Sequence, residues 1–293
     1  MLSTVYRIRW FLRKFRLGIR KADLVLDVGS GHDPHFRADV ICDKFTGDNV
    51  ERMDRDIRID RPFVACDAEA LPFVDGAFDY VISSHLIEHL EHPDVFLNEL
   101  MRVGKRGYIE APSEFSEKLG GLPTHKWFVR VDGGRLVLTQ KNRPVFDPVL
   151  KEVSLLLGKD MCFKKFALRN PGLFNVTFFW EGKIDYEVNY APAVSSASDF
   201  VKSKIDCNCL EPSSGGRSLG LFEEAKIFLK RSLHLLYRRR NVNLFDVLSC
   251  PVCKKKVATS GGAVLCAHCR KSYPLKNGIP VMLAESARAV PPA

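Results

Sequence analysis

Five short apolar runs alternate with longer polar or helix-forming stretches across residues 23–112. The runs cover residues 24–29, 38–43, 63–67, 78–83 and 107–111, and several are apolar on both alternations, as strands buried on both faces of a parallel sheet must be. Ahead of the fifth run, Pro93 opens a helix in which Val95, Phe96, Leu97, Leu100, Met101 and Val103 recur at helical spacing, and Gly104 closes it. This pattern predicts a doubly wound α/β domain.

The pattern then changes character. Residues 127–131 and 135–140 flank Asp132-Gly133-Gly134, a hairpin signal, and a second hairpin is expected from 174–180 and 183–190, turning at Glu181-Gly182. Between them Asp147-Pro148 supplies the cap and first turn of a helix. Residues 191–217, rich in Ser, Ala, Gly and Pro, read as a linker. A helix follows over 218–240, with Leu221, Ala225, Phe228, Ser232, Leu235 and Leu236 on one stripe and basic residues mostly opposite. Residues 244–284 form a compact unit of their own. At the other end, Val5, Ile8, Leu12, Phe15 and Ile19 predict a basic amphipathic helix over 1–21. Residues 22–190 are then the α/β domain, divided at 112 into a ligand half and a cap region.

Composition excludes disorder, collagen and coiled coil: of 293 residues, 46% are hydrophobic and 27% charged. The net charge of +9 is unevenly placed. Residues 1–21 hold seven basic residues and 226–240 hold six, with no acid in either, so the remaining 31 basic and 35 acidic residues leave the body slightly acidic. Such helices suit an anionic membrane surface or RNA, or packing on the domain with a solvated basic face. The longest apolar run, residues 173–180, is broken by Asn175 and Thr177 and falls short of the roughly 18 residues of a membrane-spanning helix. Arginines interrupt every apolar stretch of the N-terminus, so it does not read as a signal peptide. The expected location is cytoplasmic, with peripheral contact at the inner membrane face.

Candidate chemistry begins at Leu26-Asp27-Val28-Gly29-Ser30-Gly31-His32-Asp33, glycines at the carboxyl end of the first strand where the backbone turns sharply beside a ligand. The third glycine of a dinucleotide fingerprint is missing, and Asp27 would repel a pyrophosphate while suiting a cationic ligand. Together with Asp43, Asp67-Ala68 and Phe78-Asp-Tyr-Val-Ile-Ser-Ser84, this motif resembles the class I S-adenosylmethionine-dependent methyltransferases, particularly the group that includes quinone-biosynthesis enzymes. The resemblance covers residues 22–112. It implies that Asp27, Gly29, Ser30, Gly31 and Ser84 surround S-adenosylmethionine, that Asp43 holds the ribose hydroxyls and that Asp67 and Ala68 read the adenine. One carboxylate offers the acceptor pair two hydroxyls need, and another can accept from an exocyclic amine. Asp39 is a rival to Asp43 on the same strand, and any of these aspartates could instead cap a following turn.

Methyl transfer asks mainly for in-line positioning and, for a weakly acidic nucleophile, removal of its proton. His85 and His89 follow the fourth strand directly, and their spacing of four predicts a shared helical face; either is a candidate base. His85-Leu-Ile-Glu88-His89 also fits the pattern of an inverted zinc-metalloprotease helix, a reading disfavoured by its place among the cofactor motifs.

Cys250-Pro-Val-Cys253 and Cys266-Ala-His-Cys269 are two knuckles whose four thiolates suit a closed, structural zinc site, with two disulfides as the alternative. A unit of about 40 residues has too little core to fold without such a clamp. The segment resembles the small zinc-ribbon proteins that activate methyltransferases, which implies a role in stabilising the catalytic domain or presenting substrate. The combined reading is an S-adenosylmethionine-dependent methyltransferase with a C-terminal zinc ribbon, acting on a small molecule or lipid-linked metabolite. RNA methylation and a non-catalytic cofactor-binding scaffold remain the alternatives.

Overall fold

Parallel strands with both faces covered account for the apolar runs. In a computed structural model describing residues 13–47, 55–141, 156–191, 221–237 and 242–290, a six-stranded sheet has the order β3-β2-β1-β4-β5-β8. Its parallel members are β1 (Val25–Val28), β2 (Val40–Asp43), β3 (Phe63–Ala65), β4 (Tyr80–Ser84) and β5 (Arg106–Pro112). Every residue of β1 and β3 is buried, which is why these strands carry no polar alternation. The strand order reverses between β1 and β4, so a crevice opens at their carboxyl ends. Helix α1 (Pro93–Val103) starts at proline, ends at Gly104 and buries Phe96, Leu97, Leu100 and Val103 against the sheet core.

The expected hairpin at Asp132-Gly133-Gly134 forms, with β6 (Trp127–Asp132) paired to β7 (Arg135–Gln140). The second expected hairpin does not. β8 (Asn175–Glu181) runs antiparallel to β5 along seven residue pairs, whereas β9 (Tyr186–Asn189) pairs parallel with β7 in a separate three-stranded sheet. β8 buries Val176, Phe178 and Trp180 on one face, and joining the edge of the main sheet covers that face better than a two-stranded ribbon can. Helices α2 (Glu114–Gly120), α3 (Met161–Arg169) and α4 (Pro171–Phe174) lie between these strands in sequence. The predicted start of a helix at Asp147 lies outside the described residues, as do the linker over 192–217 and residues 1–12. Arg13–Arg16 form a single 3-10 turn; beyond it Gly18 takes a left-handed φ of 69°, so the N-terminal helix does not reach Ile19 as expected.

No helix among the described residues joins β1 to β2. The distant helix α5 (Leu221–Tyr237) packs there instead: Lys230, 1% exposed, pairs with Asp33, and Arg37 donates to the Tyr237 carbonyl at 3.0 Å.

After a short turn, α6 (Leu244–Val247), the C-terminal unit folds as β10 (Ala258–Ser260), β11 (Ala263–Cys266), β12 (Lys271–Lys276), β13 (Ile279–Pro280) and β14 (Arg288–Ala289). It is docked on the α/β domain. Val281 bridges parallel to Ala65 at the edge of the main sheet, and Met282 N donates to Ala65 O at 2.7 Å. Leu248, Cys250, Val264, Tyr273 and Met282 share one hydrophobic core with α1 and the sheet.

A polar tie flanks this core. Lys254 Nζ donates to Glu99 Oε2 at 2.7 Å, and Arg102 holds the same carboxylate. Burial alone would raise the Glu99 carboxyl, but the hydrogen bonds from Arg102 and Lys254 outweigh it and hold it below its ordinary range. Because the folded value is depressed, this contribution is complete above the unfolded carboxyl's titration and is lost as pH falls through the folded one. Glu99→Gln is expected to cost about 1.5–3 kcal/mol near neutral pH, the usual worth of hydrogen bonds to charged groups. The difference in melting temperature between wild type and variant, followed from pH 7 into the acid range, should shrink as pH falls through the depressed titration of the folded carboxylate, where the wild-type group itself becomes protonated.

Candidate functional site

The carboxyl ends of β1 to β4 surround a cavity of about 690 Å³. Asp27, Gly29, Ser30, Gly31, Asp43, Asp67, Ala68, Ser84, His85 and His89, drawn from four separate sequence segments, all line it. Gly29 and Gly31 have φ of 71° and 52°, the left-handed region that glycine enters without penalty. At Gly29 the approach is close as well: a Cβ would lie 2.9 Å from a Leu86 methyl carbon.

The aspartates are placed differently from one another. Asp43 Oδ2 accepts from Gly31 N at 3.0 Å and Oδ1 from Phe45 N at 3.1 Å, so its carboxylate organises the glycine loop while facing the cavity. Asp27, 4% exposed, accepts from His35 N at 2.7 Å. Asp67 caps the turn Ala68–Ala70 through Glu69 N at 2.9 Å and pairs with Lys44 at 2.6 Å, so capping and a place in the lining coexist. The rival Asp39 is buried under β1, accepting from Val25 N at 3.0 Å, and does not face the cavity. Ser30 Oγ is buried without a hydrogen-bond partner among the described residues. Left-handed glycines, facing carboxylates and this unpaired hydroxyl together fit an adenosine-bearing, positively charged ligand.

The two histidines do not share a helical face. His85 has a left-handed φ of 55° and donates its amide to Glu110 O at 2.8 Å, and only Ile87–His89 form a 3-10 turn. A helix over 85–89 is ruled out by that first residue, and with it the inverted metalloprotease geometry. His85 Nε2 lies 3.4 Å from Glu110 Oε1 and Nδ1 lies 3.5 Å from Glu88 Oε1. Partial desolvation would lower its pKa, but the Glu110 and Glu88 carboxylates beside it prevail and push it up to about 9. The two carboxylates thus favour the protonated form of His85.

Sequence reasoning missed Glu110, which takes a hydrogen bond from Tyr108 OH at 2.5 Å, and Lys230, which brings α5 to Asp33 in the lining. An acid inside the otherwise apolar run 107–111 was the available signal for the first; nothing local announced the second.

In the C-terminal unit Cys250, Cys253, Cys266 and Cys269 converge. Their sulfurs lie 3.3–3.5 Å apart in four pairs, too far for a disulfide and close to the edge of about 3.8 Å that a tetrahedron with 2.3 Å metal–sulfur bonds requires. Tyr273 OH lies 3.5 Å from Cys250 Sγ, a partner in the second layer. The four thiols fit zinc.

Residues 26–109 match the family described as "Methyltransferase domain". A demethylmenaquinone methyltransferase from Beutenbergia cavernae is 38% identical over 107 residues, 34% of this chain and 44% of the relative. A UPF0434 protein from Nitrosococcus oceani is 41% identical over 51 residues, 17% of this chain and 86% of the relative. The chain is thus similar to methyltransferases over residues 26–109, and its C-terminal unit belongs with the UPF0434 proteins. It spans less than half the length of the methyltransferase relatives, 44% in each of two. A solved complex between the Haloferax volcanii Trm112 methyltransferase activator and a putative methyltransferase aligns with 14% identity and a TM-score of 0.35, covering 59% of this chain and 88% of that one. The strand order of the six-stranded sheet is itself Rossmann-like, and no helix among the described residues is long and apolar enough to cross a membrane.

Proposed function

We propose that the protein transfers a methyl group from S-adenosylmethionine to a small molecule or lipid-linked metabolite. The observation that carries this reading is the convergence of Asp27, Asp43 and Asp67 with the left-handed Gly29 and Gly31 on a single cavity. S-adenosylmethionine supplies an electrophilic methyl on a sulfonium, so little covalent chemistry is left to the protein. Asp43 accepts from the ribose hydroxyls, Asp67 and Ala68 meet the adenine, and Asp27 with the loop amides faces the charged end. Of the two candidate bases, His85 is the poorer proton acceptor, because the two glutamates beside it favour its protonated form. His85 instead contributes a fixed positive charge beside the acceptor. Cys250, Cys253, Cys266 and Cys269 hold a structural zinc closed to substrate.

The name of the demethylmenaquinone relative fits a lipid-linked acceptor. In favour of peripheral membrane contact, α5 exposes Phe228 (72%), Leu235 (61%) and Leu236 (77%), although its Lys230 is buried against Asp33 and does not contribute. The test is an assay with methyl-labelled cofactor and a lysate separated into lipid, small-molecule, RNA and protein fractions. Label is expected in the lipid or small-molecule fraction; label in RNA alone would support the nucleic-acid alternative, and cofactor binding without any transfer the scaffold.

A further inference from the structure

We propose that Glu88, His89 and His125 form a divalent-cation site beside the cavity, whose open coordination positions take an oxygen of the methyl acceptor. Its role toward the acceptor rests on the methyl-transfer reading above; the cation site itself does not.

The first observation is Glu88. Its side chain is 0% exposed, and neither carboxylate oxygen has a hydrogen-bond donor in bonding geometry among the described residues. His85 Nδ1 approaches Oε1 only to 3.5 Å. A fully buried carboxylate so poorly paired is costly to a fold, and a cation is the partner that most directly offsets the cost.

The second is what surrounds it. Ligating atoms of Glu88, His89 and His125 all lie within 4.8 Å of one another, and the two imidazole rings stand perpendicular with centroids 4.5 Å apart. Bound to one ion at about 2.0–2.2 Å each, three such atoms stand no more than about 3.8 Å apart, so a pair near the 4.8 Å limit would draw together by about 1 Å on binding.

The third is the orientation of His125. Its Nδ1 lies 2.6 Å from Glu117 Oε1, and the other oxygen of that carboxylate accepts from Lys141 Nζ at 2.5 Å. Facing a carboxylate, Nδ1 carries the proton and donates, which leaves Nε2 with its lone pair. This carboxylate–histidine arrangement is the one that orients imidazoles toward metals. The two segments are also tied by backbone: Lys126 N donates to Glu88 O at 2.7 Å, and Trp127 Nε1 to Leu90 O at 2.8 Å. The ligand-bearing turn and the ligand-bearing strand entry are therefore set before any ion arrives.

Two imidazoles and one carboxylate leave coordination positions open and suit Mn²⁺ or Fe²⁺ rather than the closed four-thiolate geometry of the C-terminal unit. His89 lines the cavity along with Thr124 and Lys126, so those positions face the space left for an acceptor. An oxygen nucleophile held there would give up its proton to solvent water more readily as its oxygen takes the methyl group and the sulfonium becomes a neutral thioether, which would make the acceptor a hydroxyl compound.

The test uses the full chain with zinc retained in the four cysteines, titrated with Mn²⁺ and followed by electron paramagnetic resonance. One bound equivalent is expected in the wild type. Glu88→Gln should weaken binding by more than about 100-fold and Glu117→Gln, which keeps all three ligands, by about 10- to 100-fold. The melting temperature of metal-free Glu88→Gln is measured alongside, and a variant that melts within a few degrees of wild type shows that lost Mn²⁺ binding is not the result of unfolding. Absence of a bound equivalent in the wild type, or binding unaltered in both variants, overturns the site. S-adenosylmethionine affinity, measured by calorimetry on the same samples, separates the two readings: a wild type that binds Mn²⁺ but not the cofactor retains the site and refutes methyl transfer.

Discussion

Replacement of Cys253 by serine should unfold the C-terminal unit and lower the melting temperature of the whole chain by several degrees. The four thiolates stand in a near-tetrahedral set, and structural zinc in small units contributes an apparent ~10–16 kcal/mol, more than a unit of this size can recover from its own core. The damage should spread. Without the C-terminal unit, Ala65 loses its pairing with Val281 and Met282, Phe73 loses its bridge to Leu248, and Glu99 loses Lys254. A strong chelator should produce the same change in the wild type, and amide exchange should rise in β3 as well as in β10 to β13. A Cys253→Ser protein that keeps its metal content and its melting curve would exclude the zinc assignment.

Removal of the Asp43 carboxylate is expected to weaken S-adenosylmethionine binding by about 10- to 100-fold, the 1–3 kcal/mol of a lost buried acceptor. Alanine at this position also releases the amides of Gly31 and Phe45, so part of the loss would come from the loop. Asp43→Asn separates the two contributions, since its carbonyl can keep one amide in place while the charge is gone. Isothermal calorimetry on wild type, Asp43→Ala and Asp43→Asn gives the comparison, and identical affinities for all three would remove Asp43 from the site.

What could be read in the chain beforehand was whatever is encoded within a few residues. The glycine loop, the acids at strand ends, the proline-to-glycine helix 93–103 and the paired knuckles are each local, and each lies where its pattern placed it. The failures are of two kinds. His85 and His89 match a helical spacing, but spacing is silent about the left-handed backbone at His85, whose amide donates a hydrogen bond to the Glu110 carbonyl of β5, 25 residues along the chain. The second kind involves partners distant in sequence. Glu117 and His125, Glu110 and His85, and above all Lys230 and Asp33 meet only because the sheet and α5 are already assembled. The separation of β8 from β9 belongs here too: both segments are apolar enough to pair locally, and the vacancy beside β5 decides otherwise.

The three-residue β3 would otherwise be the outermost strand of the sheet, with amide and carbonyl groups open to any passing chain. Closing that edge with residues of the same polypeptide makes the attachment independent of how much protein is present. Two separate polypeptides would have to meet at a concentration above their dissociation constant; here dilution alone cannot part them, and every copy of the α/β half is born with its companion in equal number.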